Sequence, residues 1–179
     1  MTMRVSDYKT RNDPRFNTTN SRNVRLQNRS FVGYSQNFNS GTQALPALTR
    51  TQLTNNALGA NTFSSARLWN PINNRMHLLD SRVGDYIDAH IVIPIDGAPA
   101  LPNLIVELDF SPALDGSQVI GRPQSVSVFA LLGDPEFDFK FAVTSAMKAN
   151  GVAIMVTPSG AFTSTSSELM LENYPTTTS

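Results

Sequence analysis

Apolar and polar residues alternate with a period of two along most of the C-terminal half of the chain. In residues 86–95, for example, every second position from Ile87 to Ile95 is apolar, which is the pattern of a half-buried strand. The same pattern predicts strands over residues 75–79, 86–95, 104–110, 126–132, 137–143, 151–157 and 168–172.

Turn-forming residues separate these predicted strands, so no helix is needed to connect them. The turns are Asp96-Gly97, Asp115-Gly116, Gly133-Asp134-Pro135, Asn150-Gly151 and Pro158-Ser159-Gly160. Many short strands joined by turns are typical of a sandwich. The sequence therefore predicts an all-β fold, an antiparallel β-sandwich that is jelly-roll-like, over residues 69–174.

The first 41 residues show neither a helical nor a strand period. Asparagine is frequent there and disfavours helix interiors, and Asp13-Pro14 favours an extended chain or a turn. We predict a long extended N-terminal arm over residues 1–41. It contains too many apolar residues for a simple solvated tail, and we interpret five of them as anchors for a partner: Phe16, Leu26, Phe31, Tyr34 and Phe38.

The middle of the chain has mixed spacing. We predict an irregular linker over residues 42–68, with at most one short helix within residues 49–58. Trp69-Asn70-Pro71 marks the beginning of the sandwich, because Asn-Pro favours a turn and tryptophan is a large residue suited to packing. Residues 175–179 are expected to form a flexible tail.

Charge is distributed very unevenly, although the whole chain is neutral. Residues 1–82 contain 11 Lys and Arg against three Asp, a net charge of +8, and residues 83–179 contain three basic against 11 acidic residues, a net charge of −8. A basic segment of this kind suits an acidic partner: nucleic acid, another protein, the acidic half of a neighbouring copy, or the chain's own domain.

The spacing of the cations in the arm favours protein as the partner of the arm. RNA-packaging arms usually carry dense basic runs, because phosphate neutralisation scales with the number of cations. Here the cations are dilute and alternate with apolar anchors. We therefore predict that a protein partner, more than nucleic acid, contacts six arginines: Arg4, Arg11, Arg15, Arg22, Arg25 and Arg29.

Chemistry-bearing residues are few. There is no cysteine, and the spacing of the only two histidines, His77 and His90, matches no metal-ligand motif. Glu107 and Asp109 share one face of a predicted strand at about 7 Å, a separation that glycosidase carboxylates use. Without an aromatic cleft nearby, we predict instead that they form an outward-facing acidic strip.

A second acidic group, Asp134, Glu136 and Asp138, lacks a calcium-loop pattern and is predicted to flank a hairpin turn. No phosphate-binding loop or nucleophile elbow is present. We therefore predict no catalytic residue, no metal, no cofactor and no enzymatic activity. No run of 18 apolar residues and no apolar leader occurs, so we expect no membrane partner.

The layout of a basic arm, the Trp69-Asn70-Pro71 segment and a small cysteine-free sandwich resembles the decoration, or cement, proteins of tailed-bacteriophage heads. The resemblance implies a structural virion protein that is made in the host cytoplasm and lies on the capsid surface. It also implies a homo-oligomer, with a trimer favoured. Its partners would be the major capsid protein or other virion subunits.

Two alternatives remain open at this point. One is a small jelly-roll viral coat protein whose arm binds RNA. The other is a fibre or receptor-binding, lectin-like module, in which residues 163–167 would form a loop and residues 176–179 a tail.

Overall fold

The strands of the sandwich are defined in a computed structural model. It describes residues 33–38, 41–56, 60–61, 68–79, 81–96, 103–127 and 134–176, with the backbone alone for residues 33–38, 60–61 and 127. Residues 1–32 of the predicted arm and residues 177–179 of the predicted tail lie outside the described part.

The described residues form 14 strands and one short helix. The N-terminal strands are β1 (Gly33–Phe38), β2 (Thr42–Leu45), β3 (Thr51–Gln52), β4 (Ala60–Asn61), β5 (Trp69–Asn70) and β6 (Arg75–Met76). The C-terminal elements are β7 (Tyr86–Val92), β8 (Ile95–Asp96), β9 (Asn103–Asp109), β10 (Val119–Ser127), β11 (Glu136–Ala142), α1 (Ser145–Asn150), β12 (Val152–Pro158), β13 (Phe162–Thr165) and β14 (Glu168–Tyr174).

Three antiparallel sheets contain these strands. The first sheet has five strands in the order β11–β7–β14–β1–β4. The second has six, in the order β10–β9–β12–β6–β5 with β3 also paired to β12, and a small third sheet has the order β2–β13–β8. Every pairing is antiparallel, so the prediction of an antiparallel, jelly-roll-like β-sandwich is confirmed.

The core lies between the two large sheets and follows the predicted alternation. Ala89 at the centre of β7 pairs with Phe139 on one side and Leu171 on the other, and all three side chains are buried. The second sheet contributes apolar side chains of β9 and β12 that are all 0% exposed: Leu104, Val106, Leu108, Val152, Ile154 and Val156. Each large apolar side chain of this kind stabilises the fold by about 1.5 to 3 kcal/mol.

The N-terminal boundary of the sandwich differs from the sequence prediction. Residues 33–38, assigned to the arm, form β1, which lies inside the five-stranded sheet between β14 and β4. The predicted linker contains β2, β3 and β4, and residues 49–56 of the predicted helix are not helical, since Thr51–Gln52 is a strand. A strand of two residues is too short to show an alternation of apolar and polar residues. Its structure is determined by pairing with strands that are distant in sequence.

Other elements were missed between the predicted strands. The strand predicted over residues 86–95 ends at Val92, and Ile95–Asp96 pairs with the third sheet instead. Of residues 163–167, a loop in the receptor-binding alternative, residues 163–165 belong to β13. Helix α1 was not predicted; it begins after Thr144, whose hydroxyl accepts a hydrogen bond from the Met147 N–H (3.2 Å), and ends at Gly151.

Gly151 closes the helix in a conformation that no other residue would adopt easily. Its φ is +71°, and an added Cβ would lie 3.0 Å from the Met76 carbonyl oxygen. Gly121 has a similar φ of +63° but has no atom within 4 Å of that position. We expect Gly151→Ala to lower the free energy of unfolding by about 3 kcal/mol and Gly121→Ala by about 1 kcal/mol.

Urea denaturation of the two glycine variants measures this difference. Both glycines have a positive φ, so the excess at Gly151 reports the steric clash with β6 together with the cost of its ψ of 173°. Equal losses at the two positions would show that the contact with the Met76 carbonyl relaxes at no cost.

Candidate functional site

Arg50, between β2 and β3, contacts the acidic half of the chain. Its Nε donates to Glu107, its Nη1 donates to the Leu114 carbonyl oxygen, and its Nη2 lies 2.7 Å from Oδ2 of Asp109. Asp109 is 0% exposed. Although burial lowers the pKa of Arg50, the bonds and charges of Asp109 and Glu107 raise it more, so the guanidinium is held charged.

The Asp109 carboxylate also fixes the loop between β9 and β10. It accepts hydrogen bonds from the N–H and the hydroxyl of Ser111, both at 2.7 Å, and from the Gly116 N–H at 3.0 Å. Burial raises the pKa of Asp109, but the bonds from Ser111, Arg50 and Gly116 outweigh it and lower the pKa below its ordinary value.

The prediction that Glu107 and Asp109 form an outward-facing acidic strip is therefore wrong. Arg50 and the β9–β10 loop cover this part of the second sheet, and one guanidinium binds both carboxylates. A glycosidase pair needs one carboxyl group free to transfer a proton. Here both groups belong to a structural ion-pair network.

Arg75 also binds this loop, through backbone carbonyl oxygens. Its Nη1 donates to the carbonyl oxygens of Asn150 (2.7 Å) and Ser111 (3.3 Å), and its Nη2 donates to that of Pro112 (3.1 Å). The side chain is almost completely buried. Two cations of the basic half, Arg50 and Arg75, thus bind groups within the sandwich. Most of the remaining positive charge of that half lies in the arm.

The outer surface of the five-stranded sheet carries a group of exposed and half-buried carboxylates. We call five of them the acidic face: Asp88, Glu136, Asp138, Glu168 and Glu172. The strand register places them in three adjacent rows, with Asp88 beside Glu172, Asp138 beside His90, and Glu136 and Glu168 on either side of Val92. Such like charges on neighbouring strands repel one another unless a cation is nearby.

Two of these carboxylates have a basic side chain beside them on the same sheet. Lys140 Nζ lies 2.8 Å from Oδ2 of Asp88, and the hydrogen bond and charge of Asp88 raise the pKa of Lys140. His90 Nδ1 lies 2.8 Å from Oδ1 of Asp138. Among the described residues no three His, Asp or Glu side chains form a group suited to a metal ion.

Exposed apolar residues lie at one end of this sheet. Tyr86 and Tyr174 pair across β7 and β14 and are 54% and 38% exposed, and Val83, in the turn before β7, is 62% exposed. We call these three residues the tyrosine end. The Tyr174 hydroxyl donates to Glu172, and this bond raises the pKa of Tyr174 to about 12.

The titration of Tyr174 tests that hydrogen bond. A phenol that donates to a carboxylate releases its proton less readily, so we expect Tyr174 to ionise near pH 12. The difference in absorbance near 295 nm between the wild type and Tyr174→Phe reports this group alone among the four tyrosines. Glu172→Gln should return the midpoint towards about 10, and an unchanged midpoint would exclude Glu172 as the cause.

Two cavities of the described structure differ in the charged residues that line them. A cavity of about 460 Å³ at the third sheet is lined by Asp96 and apolar or neutral residues such as Leu45 and Phe162. A second, of about 200 Å³, has His77 and Lys148 but no carboxylate in its lining. Neither of these two linings therefore brings a carboxylate together with a histidine or lysine.

Only two of the eleven residues predicted to bind a partner fall in the described structure. Tyr34 and Phe38 belong to β1, where the backbone register places them opposite Glu172 and Glu168. The other nine lie outside the described residues: Arg4, Arg11, Arg15, Phe16, Arg22, Arg25, Leu26, Arg29 and Phe31. Their role stays a prediction.

Comparison with known proteins identifies a similar fold. PRD1 vertex protein P5 matches with a TM-score of 0.58 at 9% identity, over 82% of this chain and 99% of that chain. The two folds are alike. The Eiger TNF from S. frugiperda matches with a TM-score of 0.41 at 11% identity, over 84% of this chain and 97% of the other. No protein-family model and no curated protein sequence matches the chain.

At such low identity the likeness to the vertex protein concerns the fold alone, because one fold serves many functions. The described part of the chain contains no helix able to span a membrane, and α1 itself has six residues.

Proposed function

We propose that this chain is a non-enzymatic structural virion protein that binds the capsid surface and stabilises it. The observation that carries the proposal is the fold similarity to PRD1 vertex protein P5, which extends over 99% of that protein. That protein is named a vertex protein, so we propose a capsid vertex as one place where this chain acts.

The surfaces of the sandwich support a binding role. Glu107 and Asp109, whose spacing would suit a glycosidase, are bound by Arg50, and neither of the two cavities described above brings a carboxylate together with a histidine or lysine. What the sandwich offers to a partner is a broad charged sheet surface and the apolar tyrosine end. Charged rims and exposed aromatic residues are typical of protein interfaces.

The arm supplies the second binding element of the proposal. Its arginines would pair with acidic patches on the major capsid protein or another virion subunit, and Phe16, Leu26 and Phe31 would fill apolar pockets. Since Tyr34 and Phe38 belong to β1, the docking segment comprises residues 1–32. A homo-oligomer, with a trimer favoured, would multiply the weak contacts of each arm.

Gradient sedimentation of lysates from cells that make both the chain and its virus tests the proposal. The chain is expected to sediment with intact particles and to be accessible to an antibody on their outside. Replacing Arg22, Arg25 and Arg29 with glutamine should reduce the amount bound. If the wild-type chain were absent from purified particles, the virion role would be contradicted.

The RNA-binding coat alternative differs in its response to salt. An arm that binds RNA through several phosphates loses affinity steeply with salt, with a log–log slope of about −0.7 per phosphate on single strands. Filter binding of full-length protein to RNA measures that slope. A slope near zero, or no retention at low salt, favours the protein partner.

A further inference from the structure

The outer surface of the five-stranded sheet combines two features along one direction. At one end lie Val83, Tyr86 and Tyr174, which are exposed apolar side chains. Beyond them follow the carboxylates of the acidic face, first Asp88 and Glu172, then Asp138, then the row of Glu136 and Glu168. Lys140 is the only Lys or Arg side chain on β7, β11 and β14, so the surface is strongly negative.

The N-terminal arm joins the sheet at the apolar end of this surface. Strand β1 begins at Gly33, which is paired with Asn173, the residue before Tyr174. Residues 1–32 precede it and contain seven Lys and Arg against two Asp, a net charge of +5. Any segment attached there starts within a few residues of the tyrosine end.

The order of residues in the arm matches the order of features on the sheet. Phe31 and Val32 come directly before Gly33, and Arg29, Arg25 and Arg22 follow at increasing distance. Strand β7 has seven residues and is about 23 Å long at about 3.3 Å per residue. Eleven extended residues, 22–32, span about 35 Å, enough to bring the arginines to every row of carboxylates.

From this complementarity we infer that, in the free protein, residues 22–32 fold back onto the outer surface of their own five-stranded sheet. The apolar residues cover the tyrosine end, and Arg22, Arg25 and Arg29 bind the acidic face. Each exposed ion pair contributes less than about 1 kcal/mol. Tethering compensates for this weakness, because a segment attached beside its site acts at an effective concentration of about millimolar.

This contact would regulate docking. The arginines that bind the acidic face are the ones proposed to bind the capsid, so a particle must compete with the chain's own sheet. The arm would stay covered on free protein and be transferred when the acidic surface of a particle offers more pairs. The contact forms in the free chain, whichever kind of particle the chain binds.

Carboxylate footprinting of the full-length free chain tests the inference. A carbodiimide with an amine labels accessible Asp and Glu, and mass spectrometry locates the label. The wild type is compared with the triple variant Arg22→Gln, Arg25→Gln and Arg29→Gln, at low salt. The control variant neutralises three cations of the sandwich in the same way: Arg82→Gln, Arg122→Gln and Lys148→Gln.

We expect labelling of the acidic face to rise about threefold in the arm variant, as the loss of weak ion pairs implies, and to be unchanged in the control variant. Asp96 in the third sheet and Asp115 in the loop between β9 and β10, both exposed, serve as internal references. In the wild type, about 0.5 M salt should raise the labelling in the same way, because salt screens exposed charges.

Equal labelling of the acidic face in all three proteins would overturn the inference. Protection that increases with protein concentration would also overturn it, because the occupant would then be the arm of a second copy. Neither result bears on virion binding. A chain that does not bind a particle can still protect its own carboxylates, so each proposal can be refuted without the other.

Discussion

Replacing Arg50 with alanine is expected to lower the free energy of unfolding by about 3 to 5 kcal/mol, the usual cost of leaving a buried charge without its partner. Asp109 is 0% exposed and would keep only the donors of Ser111 and Gly116. Glu107 would stand beside it as an unpaired like charge. Because small domains have about 5 to 15 kcal/mol of stability, this is a large fraction of the total.

Urea denaturation measures the loss, and two further variants define its cause. Arg50→Lys should rescue little, since an ammonium group cannot reproduce the fork that binds Glu107, Asp109 and the Leu114 carbonyl together. Arg122→Ala, on the exposed bulge of β10, should change stability by less than about 0.5 kcal/mol. A loss below about 1 kcal/mol for Arg50→Ala would mean that the ion-pair network does not hold the β9–β10 loop.

Deleting residues 1–32 is expected to leave a folded sandwich, whereas deleting residues 1–38 should abolish folding or lead to aggregation. The second deletion removes β1, a six-residue strand between β14 and β4. Each backbone hydrogen bond makes a net contribution of about 1 kcal/mol. Losing those of β1 therefore lowers the free energy of unfolding by nearly the whole stability of the domain. It also exposes the edge of β14, and open edges promote aggregation.

Circular dichroism, urea denaturation and size-exclusion chromatography compare the two deletions directly. The shorter deletion serves as the control, since it removes the charged arm and keeps every described strand. If the longer deletion were as stable and as monodisperse as the shorter one, β1 would not be part of the folded sheet.

Most of the long strands could be predicted because burial imposes a period of two on them. Strand β10 is the exception, because the strand predicted over residues 126–132 overlaps it only at Val126 and Ser127. Strands β7, β9, β11 and β14 each have seven residues that alternate between a buried face and a more exposed one, and their sequences show it. Strand β12 is buried on both faces from Val152 to Val156. Strand β1, with the sequence GYSQNF, carries mostly polar residues and small ones. It joins the sheet through its neighbours, so nothing local distinguishes it from the arm.

The ion-pair network shows the limit of local patterns more clearly. The spacing of Glu107 and Asp109 correctly placed both on one side of a strand, but their partner Arg50 is 57 residues from Glu107 along the chain. Likewise, each carboxylate of the acidic face appears in the sequence as an ordinary outward position. The acidic face arises from the order β11–β7–β14, which brings together strands distant in sequence.

Electron cryomicroscopy of purified particles from a virus that encodes this chain would show whether the sandwich binds the outside of the capsid. We expect density for an antiparallel β-sandwich on the outer surface of the capsid, with residues 1–32 extending across a neighbouring subunit and the arginines beside acidic side chains. A sandwich lining the inside of the shell with its arm in the genome, or no density on the particle, would contradict it.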